Sequence, residues 1–219
     1  MDKPAGVTSH DVVQLARRVY GERSIGHLGT LDPFATGLLV LLLGRFTRLA
    51  TFIDIEPKVY EATIRFGTEM DTDDCTGVVV REAGLPERDA IAGGIVTLTG
   101  KIAQVPPAFS AKSVDGVRAY DAARRGDQME LKPVEVEVRE WLVREQRDSE
   151  IDVTITCGSG TYIRALARDL GRNAGSAAHL SALRRVRSGP FEVKDAATLD
   201  CLRTAPPALR TLSVVASNA

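Results

Sequence analysis

The 219-residue chain carries 28 Lys and Arg against 29 Asp and Glu and is 44% hydrophobic, which excludes a disordered or fibrous protein and allows a sizeable core. Its longest apolar run, Leu38 to Leu43, is too short to span a membrane, and Met1-Asp2-Lys3-Pro4 lacks the apolar stretch of a signal peptide. Cys75, Cys157 and Cys201 have no paired spacing and only His10, His27 and His179 are present, so a zinc site, a disulfide framework and a histidine-built metal centre are all disfavoured, and a reducing, cytoplasmic compartment is expected.

In chain order, Thr8-Ser9 reads as a helix N-cap, Val12, Val13, Ala16 and Val19 as the apolar stripe that follows, and Gly21 as the stop. The Leu38–Leu43 run reads as a buried element, strand or helix, and Phe46 to Ile53 as a short helix. Lys58 to Gly67 alternates, with Tyr60, Ala62, Ile64 and Phe66 on one face, as a half-buried strand does. Glu69 to Thr76 reads as a solvated acidic loop. Its carboxylates lack the glycine and terminal glutamate of a calcium loop. A short strand is expected over Gly77 to Arg81, and a helix over Pro86 to Leu98 that Gly93-Gly94 weakens. Val105 to Lys112 is a stiff, proline-containing loop, and Arg118 to Arg125 a short helix. Val134 to Val138 and Ile151 to Thr156 are strands, and the segment from Pro206 is a loosely held tail.

Two stretches carry chemistry. Gly26-His27-Leu28-Gly29-Thr30-Leu31-Asp32-Pro33-Phe34-Ala35-Thr36-Gly37 packs three glycines, a proline and one carboxylate into twelve residues just ahead of the leucine run. Asp32 precedes a proline, which biases it to extended backbone. Taken alone, this pattern also fits a structured turn in which Asp32 caps the backbone. Gly158 to Leu170 is a glycine turn feeding a helix that Thr161 could cap, with Ile163, Leu166, Ala167 and Leu170 on its apolar face. Free amides at such a helix start suit an anion, although neither a P-loop nor a nucleophile elbow is present.

Charge is unevenly spread. Asp54 to Asp89 holds ten acidic and four basic residues, Lys101 to Arg125 five basic and two acidic, and Thr161 to Lys194 seven basic and two acidic. The two basic stretches could form one polyanion-binding surface, or simply two solvated helix faces.

Lys3-Pro4-Ala5-Gly6-Val7-Thr8-Ser9, the Gly26–Gly37 stretch, Lys58-Val59-Tyr60, Pro106-Pro107-Ala108-Phe109-Ser110-Ala111, Gly160-Thr161-Tyr162-Ile163-Arg164 and Leu183-Arg184-Arg185, in this order and spacing, resemble the TruB family of tRNA pseudouridine synthases. The resemblance runs from Asp2 to about Leu199. It implies an α+β catalytic domain over residues 1–200, built on a mixed, mostly antiparallel sheet with flanking helices and a central active-site cleft. Residues 201–219 would form a short tail, and the apolar strand before Asp2 and the C-terminal PUA domain usual in the family would be missing.

The implied activity is isomerisation of the T-loop uridine of tRNA, position 55, to pseudouridine, with the T-arm as partner, no cofactor, no metal, no membrane, and a monomeric enzyme. In that resemblance Asp32 is the nucleophile, Tyr60 stacks on the base and assists proton removal, and Arg164 pairs with the aspartate. Tyr162 and Leu183 line the base pocket, His27 fills the gap left by the flipped base, and Lys3-Pro4 supports the site. Arg118, Arg124, Arg184 and Arg185 are expected on the RNA backbone. Lys112-Ser113 departs from the family pattern, which has a lysine at the second position. The alternative readings are an inactive RNA-binding or chaperone relative using the same groove, and a hydrolase built from Ser, His and Asp. The second lacks any nucleophile motif.

Overall fold

The computed structural model describes residues 1–109, 113–114, 117–118 and 131–209. The chain divides into two compact units, residues 1–60 with 183–219, and residues 61–182.

In the first unit, β1 (Asp2–Lys3) pairs antiparallel with β3 (Thr36–Leu38), and β3 pairs in parallel with the end of β13 (Ala178–Ser188), on which β14 (Phe191–Glu192) folds back. β2 (Ile25–Leu28) and β4 (Val40–Leu43) form a separate antiparallel ribbon. Helix α1 (Ser9–Tyr20) begins and ends as its sequence predicts. Thr8 and Asp11 form a reciprocal capping box, and Gly21 closes the helix in the left-handed region at φ 62°. Its Val13 and Ala16 pack with Ile25 and with Leu202 of α4 (Leu199–Thr204), while Leu28, Leu38, Val40, Leu42 and Ile53 form a second cluster.

The leucine run is mostly buried, with Leu41 and Leu43 half-buried, but is not one element. Leu39, fully buried, separates β3 from β4, and the two strands turn to different partners. The helix expected over Phe46–Ile53 is a 3-10 segment, Gly44–Leu49, with no buried residue, so nothing packs against it to extend it.

In the second unit the strand order is β13, β5 (Lys58–Phe66), β12 (Glu150–Cys157), β11 (Val134–Gln146), β8 (Gly100–Gln104), with β11 antiparallel to both neighbours. The architecture is α+β on a mostly antiparallel sheet with flanking helices, as expected. The β5 alternation holds from Lys58 to Phe66. Ile64, Val138, Ile151, Ile155, Leu166, Leu170 and Leu180 build the core. Helix α2 (Arg88–Thr97) packs on α3 (Ile163–Asn173), and its Gly94 is there for closeness: a Cβ would lie 2.8 Å from Leu170 Cδ1. The small strands β6 (Thr68–Met70) and β7 (Val79–Glu82) form a hairpin around the acidic loop, and β9 (Ser113–Val114) pairs with β10 (Val117–Arg118).

Two sequence expectations are corrected and one strand is new. Thr161 does not cap α3: Tyr162 holds the N-cap position, and the Thr161 hydroxyl donates to Gly158 O at 3.0 Å. Arg118 lies in a strand, not at a helix start, and the rest of the helix expected to Arg125 falls outside the described residues. The strand β13 was not anticipated, because its inward positions include Arg185 while Val186 lies half out.

Among the glycines of the first unit, Gly37, with φ 102°, has the least room: a Cβ would stand 2.3 Å from Arg185 O. The parallel β3–β13 pairing therefore requires glycine there. Gly37→Ala is expected to lower unfolding free energy by more than about 2 kcal/mol, since it combines backbone strain with a clash that neither strand can relieve. Chemical denaturation of the two proteins measures this.

Candidate active site

In the first unit the Asp32 loop is held by buried cations. Lys3 is fully buried and donates to Pro4 O at 2.9 Å, Val7 O at 2.8 Å and Pro33 O at 3.3 Å. Gly6 N also donates to Pro33 O, and Ala35 N to Asp32 O. On the other flank, the Ser9 hydroxyl accepts from Leu31 N and donates to Leu31 O, so one side chain satisfies both backbone groups of the residue before Asp32. Arg185, 1% exposed, donates to Leu38 O at 2.8 Å and to Gly29 O at 2.9 Å. Gly29 has φ 78°, and its missing Cβ leaves space bordered by the Arg185 guanidinium and Lys58 Nζ.

Three cations, Lys3, Lys58 and Arg185, are thus buried in the unit that carries Asp32. Burial pulls the Lys3 ammonium down to about 8, against the opposing attraction of Asp32 and Asp11. His27 lies half-buried on β2, its Nδ1 buried and without a partner among the described residues, and burial together with Arg185 lowers its pKa. Tyr60, near the start of β5, and Leu183 are both buried.

The second unit carries Tyr162 and Arg164. Gln104, fully buried on β8, accepts from Tyr162 N at 2.8 Å and donates to Tyr162 O at 3.1 Å, fixing the chain at the start of α3. Arg164, 5% exposed, donates to Thr72 O at 2.9 Å and Phe109 O at 3.0 Å, and lies 3.5 Å from Asp74 Oδ2. The other oxygen of Asp74 is taken by the hydroxyls of Thr72 and Thr76 and by Thr76 N. Asp73 and Asp74 are 5% and 4% exposed, so the expectation of a solvated acidic loop is overturned: the loop turns inward to answer arginines of α3.

The expected set therefore divides, with His27, Asp32, Tyr60 and Leu183 in the first unit and Tyr162 and Arg164 in the second. Sequence reasoning passed over Ser9, Thr72, Asp74 and Gln104. The Asp-Thr-Asp-Asp string was visible, but only folding shows which of its carboxylates face inward. Among the described residues no three His, Cys, Asp or Glu side chains gather to ligate a metal, and no helix is long and apolar enough to cross a membrane.

The expected RNA-contacting arginines fare unevenly. Arg185 is corrected: its guanidinium is inside the protein on backbone carbonyls and cannot meet a phosphate. Arg184 forks onto Asp2, at 3.1 and 2.8 Å. Arg118 has only its backbone described, and Arg124 lies outside the described residues. Different cations stand exposed in the first unit. Arg23, Arg45 and Arg48 are exposed and, among the described residues, form no ion pair, and beside them Phe46 is 37% and Phe52 83% exposed.

The TruB family pseudouridylate synthase N-terminal domain matches residues 17–163, and the tRNA pseudouridylate synthase B C-terminal domain matches residues 164–210. A curated protein named tRNA pseudouridine synthase B from Thermobifida fusca is 51% identical over 91% of this chain and 72% of its own length, and one of the same name from Nocardia farcinica is 47% identical over 94% of this chain and 69% of its own. Among solved structures, a chain in a Cbf5-Nop10-Gar1 complex superposes with a TM-score of 0.67 at 29% identity, and one in the archaeal box H/ACA Nop10-Cbf5 complex with 0.67 at 27%. The present chain spans 48% and 50% of those two chains, of which 87% and 92% of its own length is matched.

Lys3→Met keeps most of the apolar stem but takes the ammonium donor from three carbonyl oxygens, of which Pro33 O retains Gly6 N. The expected cost is about 1–3 kcal/mol in unfolding free energy, read by thermal or denaturant unfolding. Unchanged stability would show that water replaces the ammonium without loss.

Proposed function

We propose, since the chain belongs to the TruB family of pseudouridylate synthases, that it isomerises a tRNA uridine to pseudouridine, that the target is the T-loop uridine at position 55, and that Asp32 is the nucleophile. The reaction breaks the bond from the ribose to the uracil nitrogen, turns the base and rejoins it through carbon, with one proton leaving that carbon and one returned to nitrogen. Substrate and product are isomers, so no redox partner is consumed, and a carboxylate nucleophile, a platform for the base and a route for one proton suffice.

The observation that carries the reading is how the Asp32 loop is held. Both backbone groups of Leu31 are bonded to the Ser9 hydroxyl, and Pro33 O accepts from Lys3 Nζ and Gly6 N. A carboxylate in so fixed a loop is preorganised for attack. In this reading Arg164 keeps Asp32 ionised and oriented. Tyr60 is the aromatic platform and, through its hydroxyl, assists proton removal. Tyr162 and Leu183 line the base pocket. His27 fills the place of the extruded base, and its lowered pKa leaves it neutral at physiological pH, suited to stacking in RNA. The test is to incubate the full chain with an unmodified T-stem-loop and map pseudouridine. Asp32→Asn is expected to abolish product while RNA binding stays within about twofold, because the variant keeps shape but loses charge and nucleophilicity. Product from Asp32→Asn would remove the nucleophile assignment, and none from the unaltered chain would remove the functional reading.

Phosphate contacts are assigned to Arg45 and Arg48, exposed and without an ion pair among the described residues, and not to Arg184 and Arg185. Arg45 and Arg48 flank Phe46 on an open 3-10 segment that follows the β2–β4 ribbon bearing His27, a mixture of cations and aromatic rings suited to a nucleic-acid surface. Arg45→Gln and Arg48→Gln should each weaken stem-loop binding and lower the salt slope by about one unit. Titrations across salt concentrations read this, and unchanged slopes would mean the two side chains are merely solvated.

A further inference from the structure

Three arginines one turn apart on α3 face three acidic residues of β6 and the turn that follows it. Arg164 lies against Asp74, Arg168 NH1 donates to Asp73 Oδ2 at 2.8 Å, and Arg172 pairs with Glu69, its Nε donating at 3.0 Å. The middle pair is the most enclosed. Arg168 is 7% exposed and directs its remaining donors to Val105 O and Asp169 Oδ1. Asp73 is the one residue other than glycine described with positive φ, at 59°. Its backbone is tied as well: Asp73 N donates to Met70 O and Asp73 O accepts from Leu180 N.

A left-handed, buried aspartate persists only when its surroundings over-determine it. Here the strain is offset by the Arg168 contact, and its consequence is the placement of the neighbours. Thr72, immediately before, presents its carbonyl to Arg164, and Asp74, immediately after, presents its carboxylate to the same arginine.

We propose that Arg168 and Asp73 are positioning residues of the reaction: their buried pair sets the turn through which Thr72 and Asp74 hold Arg164 in place. The inference rests on the functional reading above, in which Arg164 serves the chemistry. Neither Arg168 nor Asp73 is assigned to meet RNA. They act by fixing one guanidinium, so their loss should lower turnover without changing affinity.

The pair also has a pH signature. Burial pushes the Asp73 carboxyl up to about 6, opposed by Arg168 and Arg164 and assisted by Glu69 and Asp169. Above that value Asp73 is ionised and the pair is intact; below it the carboxyl takes a proton and the Arg168 guanidinium keeps only Asp169 as an ionic partner, so the tie to the turn is lost. Turnover is therefore expected to fall as pH drops through about 6, with the RNA dissociation constant flat over the same range.

The experiment uses the full chain and an unmodified T-stem-loop, and compares the unaltered protein with Asp73→Asn, Arg168→Gln, Arg168→Lys and the double variant of Asp73→Asn with Arg168→Gln. Asparagine tolerates the left-handed region, so Asp73→Asn removes charge without refusing the backbone. Single-turnover rate, RNA affinity and melting temperature are measured from pH 5 to 8. Asp73→Asn and Arg168→Gln should each lose about tenfold in rate at pH 7.5 with affinity within twofold. The double variant should be no slower than the slower single, since the two groups act as one unit. Asp73→Asn should also lose the rate limb near pH 6, and Arg168→Lys should recover part of the rate of Arg168→Gln. Wild-type rates and an unchanged limb in Asp73→Asn would overturn the inference. So would losses in rate matched by equal losses in affinity, or multiplicative losses in the double variant. If the unaltered chain makes no pseudouridine, the functional reading falls and takes this inference with it; an active parent with equally active variants sinks the inference alone.

Discussion

A charged side chain can leave water only where its donors are answered, and much of this protein's architecture follows from that constraint. In the first unit the answer comes from backbone. Lys3 and Arg185 have side chains directed into carbonyl oxygens of Pro4, Val7, Pro33, Leu38 and Gly29. All but that of Leu38, which ends β3, belong to segments outside the paired strands of this unit or at their ends, and in an apolar interior such carbonyls would be costly without donors. Each cation therefore stabilises the irregular chain it bonds, and that irregular chain carries Asp32.

The second unit solves the same problem with side chains. Helix α3 places Arg164, Arg168 and Arg172 along one stripe, and β6 with the turn after it supplies a carboxylate to each. Removing either member of a buried pair leaves the other uncompensated, which makes such contacts specific even where their net contribution to stability is small. The two modes differ in what they can adjust. Backbone carbonyls do not titrate in the accessible range, whereas Asp73 does, so the arginine stripe of the second unit has a hydrogen-ion dependence built into its geometry.

The same constraint relocates the polyanion-binding surface. Counting charges along the chain picks out Thr161 to Lys194 as strongly basic, yet Arg164, Arg168 and Arg185 are buried there and Arg184 is forked onto Asp2. Arg23, Arg45 and Arg48, exposed and without an ion pair among the described residues, sit in a region of the chain whose local charge draws no attention, whereas the Thr161–Lys194 stretch keeps only Arg187 exposed without one. A charge contributes to an interface by being free and in water, and neither property is encoded in its count.

Elements whose periodicity is set by one face packing on a core were legible from sequence. They include the α1 stripe with its Thr8 cap and Gly21 stop, the β5 alternation, and the strands at Val134 and Ile151. The Gly26–Gly37 stretch was legible as a special loop because glycine and proline constrain backbone locally. Ordered motifs were enough to name the family, since their spacing is a property of the chain itself. Tertiary structure alone decided where polar groups face. That Leu39 would stand between β3 and β4, that the Asp73 and Asp74 carboxylates would turn inward, that Gln104 would fasten Tyr162, and that Arg185 would be buried beside a half-exposed Val186 all depend on partners distant in sequence. A hydrophobic side chain goes inside for reasons it carries with it, whereas a charged one goes inside only for reasons supplied by its neighbours.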